Sequence, residues 1–466
     1  MLSLLIQACS GPALEPWHSE RLKEEFTAKK AQADSFEEYL ALEDRLFHEL
    51  DETVYEQTPT GGSFELLRYS RGSAADPGRM TPNWNRSFEL EADNPRGGIL
   101  LLHGMSDSPY SLRALGESLN RQGYHVVGLR MPGHGSAPSG LTSLHWHDMR
   151  AALRLAVARL GQRVDDGPIH LVGYSTGAAL AVDYALDAES DPALRDPASL
   201  VLISPALGIS PAAALARWKL LIGKLPGLGR LEWLQIDPEF DPYKYNSFAT
   251  NAGDQVHRLT RRVARRMTAR ARRKDASAFP PTLVFKSTVD ATVSTGAVVD
   301  RFLNFLSPNR HELVLFDINR AAIKSPLLVD DPGPQTRRLM DDSTLPFAVT
   351  LITNATTDSR HVESRRKPPY SSDITSTAPL ERDWPTGIIS LSHVALPFPP
   401  DDPLYGERPP GNVDSLFLGQ LAVRGERGLL KISSDWLLRL RHNPFYDYLE
   451  DTAVGWIDEA NAASGQ

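Results

Sequence analysis

Residues 168–180 read PIHLVGYSTGAAL, an apolar run followed at once by a helical pattern of small residues. Between the two stands the pattern G-x-S-x-G, with Ser175 at its centre. Such a pattern carries chemistry when it lies on a strand–turn–helix junction, because the sharp turn lifts the serine hydroxyl out of the sheet. Gly173 and Gly177 leave the room that this turn needs. The string is common by chance, so the rest of the chain has to decide whether Ser175 is a nucleophile.

Length and composition restrict the class of protein. The chain has 466 residues, 41% of them hydrophobic, which allows a sizeable core in two or three average domains or in one elaborated α/β domain. A net charge of −8 argues against nucleic acid as a partner. No apolar run approaches the roughly 18 residues of a membrane-spanning helix. One cysteine permits neither an internal disulfide nor a cysteine-based zinc site.

Strand and helix patterns alternate on both sides of Ser175. Strands are predicted at 97–104, 124–129, 168–173, 199–204, 281–286 and 312–316, and helices at 110–121, 144–160, 176–180 and 294–306. This alternation predicts a mostly parallel, doubly wound sheet with helices on both faces. A last helical segment, 433–457, is expected to cover one side of the sheet.

The other segments decorate this α/β core. An N-terminal extension (19–94) is predicted to be helical over 19–56, with short strands at 64–69 and 84–90. The core itself covers 95–205 and 279–466. Between its two parts, 206–278 is predicted to be a helical cap over the carboxyl edge of the sheet, where ligands bind in such folds. A polar, proline-rich insertion at 319–385 contains one apolar run, 345–352, which is predicted to be an added strand.

A basic helix lies within the predicted cap. Residues 258–274 include nine basic side chains and no acidic one, and Leu259, Val263 and Met267 form an apolar stripe. A solvated cap helix is the favoured interpretation. Docking on an anionic membrane surface is the alternative.

The N-terminus resembles the end of a bacterial lipoprotein signal. Residues 1–10 read MLSLLIQACS, which places Ile6 and Ala8 ahead of Cys9 as the residue to be lipidated, and residues up to 18 would form the tether. We therefore expect a lipid-anchored protein of the bacterial envelope, with peripheral membrane association. The alternative is an ordinary N-terminus with an incidental cysteine on a cytoplasmic protein.

A serine nucleophile needs an imidazole to take its proton and a carboxylate to orient the imidazole. In chains with this type of serine turn, the acid follows the serine and the histidine comes last. Asp290 stands after the strand that follows the predicted cap, and His393 ends an apolar run. His361 is the competing base, in a polar, arginine-rich stretch. Asp317 and Asp300 are the competing acids.

A second motif follows the first long strand. Gly104 allows a turn there, so the Met105 N–H is predicted to form an oxyanion hole together with the Thr176 N–H. His103 is expected to orient this loop and not to act as the base. The loop 128–136, which contains Pro-Gly-His-Gly, is placed at the same edge of the sheet.

Taken together and in order, these motifs resemble the α/β-hydrolase superfamily, and most closely its monoacylglycerol lipase and serine aminopeptidase-like branch. The resemblance covers about 95–310 and the region of His393. It implies a serine hydrolase of carboxylic esters that needs no metal or cofactor and that acts on a small ester or lipid through Ser175, His393 and Asp290. Amide or peptide cleavage is the nearest rival, and a non-catalytic envelope protein is a rival of another class. The chain departs from its relatives in the 102 residues between Asp290 and His393.

Overall fold

A computed structural model describes residues 13–30, 32–208, 229–273, 278–290, 295–306, 309–323, 327–329, 331–411, 416–419 and 439–464. The chain divides into two compact units. The first comprises Met1–Gly167 and Ser210–Arg261, and the second comprises Pro168–Ile209 and Arg262–Gln466. Cys9 lies outside the described residues, as do 209–228 of the predicted cap. No helix of the described residues is long and apolar enough to cross a membrane.

The regular elements follow the predicted alternation. The helices are α1 (Pro16–Ser19), α2 (Phe36–Leu50), α3 (Arg113–Arg121), α4 (Gly140–Ser143), α5 (Trp146–Val164), α6 (Thr176–Ala188), α7 (Thr250–Ala271), α8 (Thr295–Arg301), α9 (Gly333–Asp341) and α10 (Tyr446–Ser464). The strands are β1 (Phe88–Leu90), β2 (Gly98–Leu102), β3 (His125–Leu129), β4 (Ile169–Tyr174), β5 (Ser199–Ile203), β6 (Trp233–Gln235), β7 (Phe248–Ala249), β8 (Thr282–Ser287), β9 (His311–Phe316), β10 (Ala348–Asn354), β11 (Val362–Lys367) and β12 (Ser376–Pro379). Short 3₁₀ segments occur at Ala28–Lys30, Gly62–Phe64, Pro77–Arg79, Pro109–Leu112, Gly229–Glu232 and Leu303–Phe305, and a π-helical turn, Asp51–Tyr55, follows α2.

In the first unit, β2 and β3 pair in parallel, and β1 pairs with β3 in the antiparallel sense. Every residue of β2 and β3 is buried, which matches the continuous apolar pattern of a sheet covered on both faces. α5 packs on these two strands. β6 and β7 form a separate two-stranded ribbon.

The N-terminal extension is fastened to the loop that follows β3 through a buried arginine. Arg130 is almost fully buried and forms ion pairs with Glu43 on α2 (2.9 Å) and with Glu25 (3.1 Å). The Tyr39 hydroxyl donates to the carbonyl oxygen of Arg130 (2.6 Å). Arg130 itself donates to the carbonyl oxygen of His134 (2.9 Å). Since a buried charge is costly without partners, these contacts hold the extension and the loop together.

The sheet of the second unit has the order β4-β5-β8-β9-β10-β11-β12. The first five strands are parallel neighbours, and the last two are antiparallel. Helices α6 and α10 pack on these strands. The α/β fold with a mostly parallel sheet flanked by helices is therefore confirmed.

The basic helix is partly neutralised by acidic side chains of α6 and of the residue that follows it. Arg262 contacts Asp183 and Asp187 at 2.8 Å each, Arg266 contacts Asp187 at 2.5 Å, and Arg270 contacts Glu189 at 3.1 Å. The predicted apolar stripe is buried. Five arginines of the helix and its C-terminal end are exposed: Arg258, Arg261, Arg265, Arg272 and Arg273.

Four predictions about local structure are wrong or only partly right. The helix predicted over 19–56 begins at Phe36, because the Ser35 side chain caps α2 by accepting the Glu38 N–H. No strand forms at 64–69, where Gly62–Phe64 is a 3₁₀ turn. The strand predicted at 84–90 is limited to Phe88–Leu90. Of the helix predicted at 433–457, the described part begins at Tyr446.

The polar insertion 319–385 extends the sheet. The strand predicted at 345–352 is present as β10, displaced by a few residues, and it pairs in parallel with β9. β11 and β12 continue the sheet and were not predicted, because their charged and polar side chains hide the strand pattern. Arg366 on β11, for example, pairs with Glu312 on β9 at 3.0 Å.

Buried neutral histidines make the stability of this fold sensitive to acid. Burial lowers the pKa of His170 on β4 to about 4, and its Nδ1 lies 2.8 Å from the Ser199 hydroxyl. The unfolded chain, with a histidine pKa near 6.5, binds the proton first as the pH falls. The stability that neutral His170 contributes is therefore complete above pH 6.5 and is lost progressively as the pH falls toward 4.

The wild type should lose unfolding free energy when the pH falls from 7.5 to 5. In His170→Asn we expect this loss to be smaller by about 2 kcal/mol, because each unit of difference between the folded and unfolded pKa corresponds to about 1.4 kcal/mol. Urea denaturation at the two pH values measures this loss. His48→Ala, at an exposed histidine, is the matched control and should leave the pH dependence of the unfolding free energy unchanged. An unchanged pH dependence in His170→Asn would show that His170 does not contribute to acid unfolding.

Candidate active site

Ser175 lies in the turn between β4 and α6, with backbone angles φ 53° and ψ −109°. Such a conformation is rare for a residue with a side chain and costs on the order of 1–3 kcal/mol. Two hydrogen bonds hold the strained residue: its N–H donates to the carbonyl oxygen of Ile203 (2.9 Å), and its carbonyl oxygen accepts the Ala206 N–H (3.0 Å). Ser175 is half-buried between buried neighbours. The predicted sharp strand–turn–helix junction is therefore present.

Gly173 makes this junction possible. A Cβ at position 173 would lie 2.5 Å from the backbone nitrogen and Cα of Ala178, so any side chain would force β4 and α6 apart. The backbone of the helix cannot move as a flexible side chain could. Thr176, the first residue of α6, is buried, and its amide belongs to the N-terminal turn whose N–H groups have no partner within the helix.

Asp290 and His393 lie side by side in the second unit. The Asp290 carboxylate is completely buried three residues beyond the end of β8, and its Oδ1 lies 3.5 Å from Nδ1 of His393. Its other oxygen, Oδ2, is 2.7 Å from Nζ of Lys286, whose side chain is also completely buried. The His393 ring retains 19% of its exposure. Nδ1 is directed at the carboxylate, which is the orientation that the histidine of a serine triad has toward its acid.

A small apolar cluster joins the two loops that carry these residues. Ile318 and Leu328 are buried, and Val289, next to Asp290, packs against them together with Ile389, four residues before His393. Hydrogen bonds from Asn319 reinforce the junction. Its N–H donates to the carbonyl oxygen of Ile389 (2.7 Å), and its side-chain amide donates to that of Ile388 (2.9 Å).

The same bonds explain the long spacing between Asp290 and His393. Asn319 stands where the insertion 319–385 leaves the sheet after β9, and 388–389 stand just beyond its end. The insertion therefore begins and ends at one place and adds strands at the far edge of the sheet. For this reason, 102 intervening residues do not separate the two side chains.

The competing residues occupy other environments. His361 also has an aspartate partner, with Nδ1 2.7 Å from Oδ1 of Asp383, but 76% of its side chain is exposed. Asp317 is bound by Arg320 at 2.9 Å and by the Thr353 hydroxyl at 3.0 Å. Asp300 is exposed on α8. Asp290 is the candidate acid whose carboxylate lies beside the partly buried His393.

In the first unit, His103 fixes the loop that carries Met105. The Met131 N–H donates to Nε2 of His103 (3.0 Å), so the ring proton is on Nδ1, which donates to the carbonyl oxygen of Gly104 (2.8 Å). Burial, and then the nearby His134, lower the pKa of His103 well below its usual value. A neutral ring with both nitrogens engaged agrees with the orienting role expected for His103.

Further contacts hold the same loop. Nε2 of His134 lies 3.2 Å from the Met105 sulfur, and burial lowers the pKa of His134 to about 4. The Tyr245 N–H donates to the carbonyl oxygen of Ser106 (2.8 Å). Lys244 lies 3.4 Å from the buried Asp107 carboxylate. The Met105 loop is thus held by the loop after β3 and by residues of the predicted cap segment.

Known proteins resemble this chain over the same region. Residues 93–318, slightly less than half of the chain, match the family model described as serine aminopeptidase, S33. The thermostable monoacylglycerol lipase of Bacillus sp. (strain H-257) is 32% identical over 123 residues, which are 26% of this chain and 46% of that relative. The match therefore spans less than half the length of the curated relative.

Solved structures of lipolytic enzymes also resemble the chain. One comes from the work on LipS and LipT, two metagenome-derived lipolytic enzymes, and is 22% identical with a TM-score of 0.40. It covers 50% of this chain and 87% of its own. The monoacylglycerol lipase of Paleococcus ferrophilus is 20% identical with a TM-score of 0.37, and covers 50% of this chain and 88% of its own.

The sheet topology and the serine turn are those of the α/β-hydrolase fold. Residues 93–318 are similar to the serine aminopeptidase S33 family, and a shorter stretch is similar to a monoacylglycerol lipase.

Lys286 is the residue of this site that the sequence analysis missed. A single lysine in an otherwise apolar strand, four residues before the candidate acid, was the available signal. Both side chains of the Lys286–Asp290 pair are completely buried. Loss of one partner from a buried ion pair typically costs about 3–5 kcal/mol, because it leaves the other charge uncompensated.

We expect Lys286→Met to lower the unfolding free energy by about 3–5 kcal/mol. Lys286→Met combined with Asp290→Asn should restore much of that stability, because both members of the buried pair are then uncharged. Chemical denaturation of the two single variants and the double variant measures the coupling. Additive losses of stability in the double variant would contradict a direct pair.

Proposed function

We propose that this protein is a serine hydrolase that cleaves carboxylic esters through a covalent acyl-enzyme. The observation that carries the proposal is the strained Ser175 turn at the start of α6, combined with a His393–Asp290 pair in the same unit. The similarity of 93–318 to a serine hydrolase family and to a monoacylglycerol lipase supports it.

In the proposed mechanism, Oγ of Ser175 attacks the acyl carbon while Nε2 of His393 takes the hydroxyl proton. Asp290 holds Nδ1 of His393 and stabilises the positive imidazolium. The N–H groups of Met105 and Thr176 stabilise the negative oxygen of the tetrahedral intermediate. His393 then returns the proton to the leaving alcohol. Water, activated by the same histidine, attacks the acyl-enzyme and releases the acid and free Ser175.

An ester of a lipid or of another small alcohol is the substrate class that we propose. The name of the Bacillus relative supports a lipid ester. The description of the family as serine aminopeptidase favours amide cleavage as the second candidate. Rates with p-nitrophenyl butyrate and with aminoacyl p-nitroanilides separate the two. We expect the ester to be cleaved with the higher kcat/KM.

The nucleophile is tested by Ser175→Ala. We expect loss of p-nitrophenyl butyrate hydrolysis by a factor of about 10⁴ or more, because the acyl-enzyme cannot form. A fluorophosphonate probe should label the wild type and not the variant, with circular dichroism as the check on folding. Near wild-type turnover by the folded variant would contradict the mechanism. Absence of labelling in the wild type would favour a non-catalytic interaction protein.

The two His–Asp pairs provide a matched test of the base. His393→Ala should lose activity to a similar extent as Ser175→Ala, since the members of a triad act as a unit. His361→Ala, which removes the exposed pair with Asp383, should retain nearly full activity. The reverse outcome would transfer the role of base to His361.

We further propose that Cys9 is lipidated and anchors the protein to a membrane of the bacterial envelope. A diacylated cysteine gives stable anchoring where one chain is marginal. The exposed arginines of α7 could add attraction to anionic lipids. Fractionation of cells that express the wild type or Cys9→Ser should find the wild type in the membrane and the variant released from it. Recovery of both from the cytoplasm would contradict the anchor.

A further inference from the structure

A cavity of about 670 Å³ lies in the first unit, next to the loop that follows β3. Its wall comes from α2 and the turn after it, from residues 68–86 and from Gly135. Four arginines line it, Arg68, Arg71, Arg79 and Arg86, together with three aspartates, Asp44, Asp51 and Asp76. Its volume is in the range of small-molecule sites, and its lining carries more arginine than aspartate.

Arg68 is the unusual member of this wall. Its side chain is 1% exposed, and within the described part of the chain neither Nε nor Nη1 has a hydrogen-bond partner. Nη2 donates to Oδ1 of Asn85 (2.9 Å) and to the carbonyl oxygen of Gly135 (2.6 Å). Arg68, Asn85 and Gly135 all line the cavity.

The three aspartates of the cavity wall contact groups other than Arg68. Asp51 pairs with Arg71 at 2.8 Å, and Asp44 pairs with Arg86 at 2.5 Å. The Asp76 carboxylate accepts the N–H groups of Gly72 (2.7 Å) and Gly78 (2.8 Å). No ion pair to Arg68 occurs among the residues that the structure describes. A buried guanidinium group with unused N–H donors costs free energy unless an acceptor binds there.

The planar guanidinium fork suits an oxyanion, since two parallel N–H donors match two oxygens of a carboxylate or phosphate. Phe47, Leu50, Tyr55 and Pro77 supply an apolar part of the same wall. We propose that this cavity binds a small organic anion, whose carboxylate or phosphate oxygens accept the N–H groups of Arg68 and whose carbon skeleton packs on the apolar wall. The site is separate from the chemistry assigned to Ser175 and does not depend on it.

Isothermal titration with sodium hexanoate, hexanamide and inorganic phosphate tests the proposal. We expect hexanoate to bind at least about tenfold more tightly than hexanamide, because only hexanoate carries the negative charge that strengthens hydrogen bonds to a guanidinium group. Inorganic phosphate should compete with hexanoate.

Variants locate the binding site. Arg68→Gln should weaken hexanoate binding at least about tenfold. Arg68 is buried, so Arg68→Gln could unfold the protein, and Arg79→Gln is therefore the second variant. Arg79 is exposed on the cavity wall. Its replacement should weaken hexanoate binding about threefold or more. Arg45→Gln, on α2 but outside the cavity, is the matched control and should bind as the wild type does.

Esterase activity should remain in Arg79→Gln, so a loss of anion binding can be distinguished from a failure of the hydrolase mechanism. Hexanoate binding that persists unchanged in folded Arg68→Gln and Arg79→Gln, but disappears after fluorophosphonate labelling of Ser175, would place the anion at the serine and overturn the proposal. Equal affinity for hexanoate and hexanamide, or no binding of either, would also overturn it.

Discussion

The close approach of β4 and α6 is the constraint on which the candidate site depends. Gly173 faces the backbone of Ala178 at a distance that admits no Cβ, and Ser175 pays for the sharp turn with an unfavourable backbone conformation. The hydrogen bonds of Ser175 with Ile203 and Ala206 tie the turn to the end of β5. The strain is maintained because strand, turn and helix are each held by packing outside the turn.

Charged and titratable groups in this protein are buried in pairs or in hydrogen-bonded loops. Arg130 with Glu43 fastens the N-terminal extension, and Lys286 with Asp290 lies at the candidate acid. His103 and His134 are neutral rings that connect the Met105 loop to the loop after β3. Such groups contribute orientation more than net stability, because the cost of removing charges from water offsets much of their attraction. Arg68 departs from this rule, since two of its nitrogens lack a partner among the described residues.

The insertion between β9 and the His393 loop shows how a long segment can be added without disturbing a site. Its two ends meet at Asn319 and Ile389, and its strands pair with the outer edge of the parallel sheet. Edge strands accept new partners readily, since they present unpaired N–H and C=O groups. The apolar contacts of Val289 and Ile389 with one cluster keep the loops of Asp290 and His393 adjacent.

The sequence alone determined the α/β class, the turn at Ser175 and the candidates Asp290 and His393. Most of these features are local, since an apolar run, a glycine pattern or the residue after a strand is visible within a few positions. The α/β class is visible because strand and helix patterns alternate over the whole core. Only the tertiary structure decided that His393 adjoins Asp290, that His361 belongs to an exposed pair, and that Lys286 is a buried counterion. It also showed β11, which is rich in charged residues, and β12, which is short and polar; neither has an apolar alternation that would reveal it. The physical reason is that strand pairing and burial bring together side chains that are far apart in the chain. The identity of a charged residue does not indicate which distant side chain will neutralise its charge.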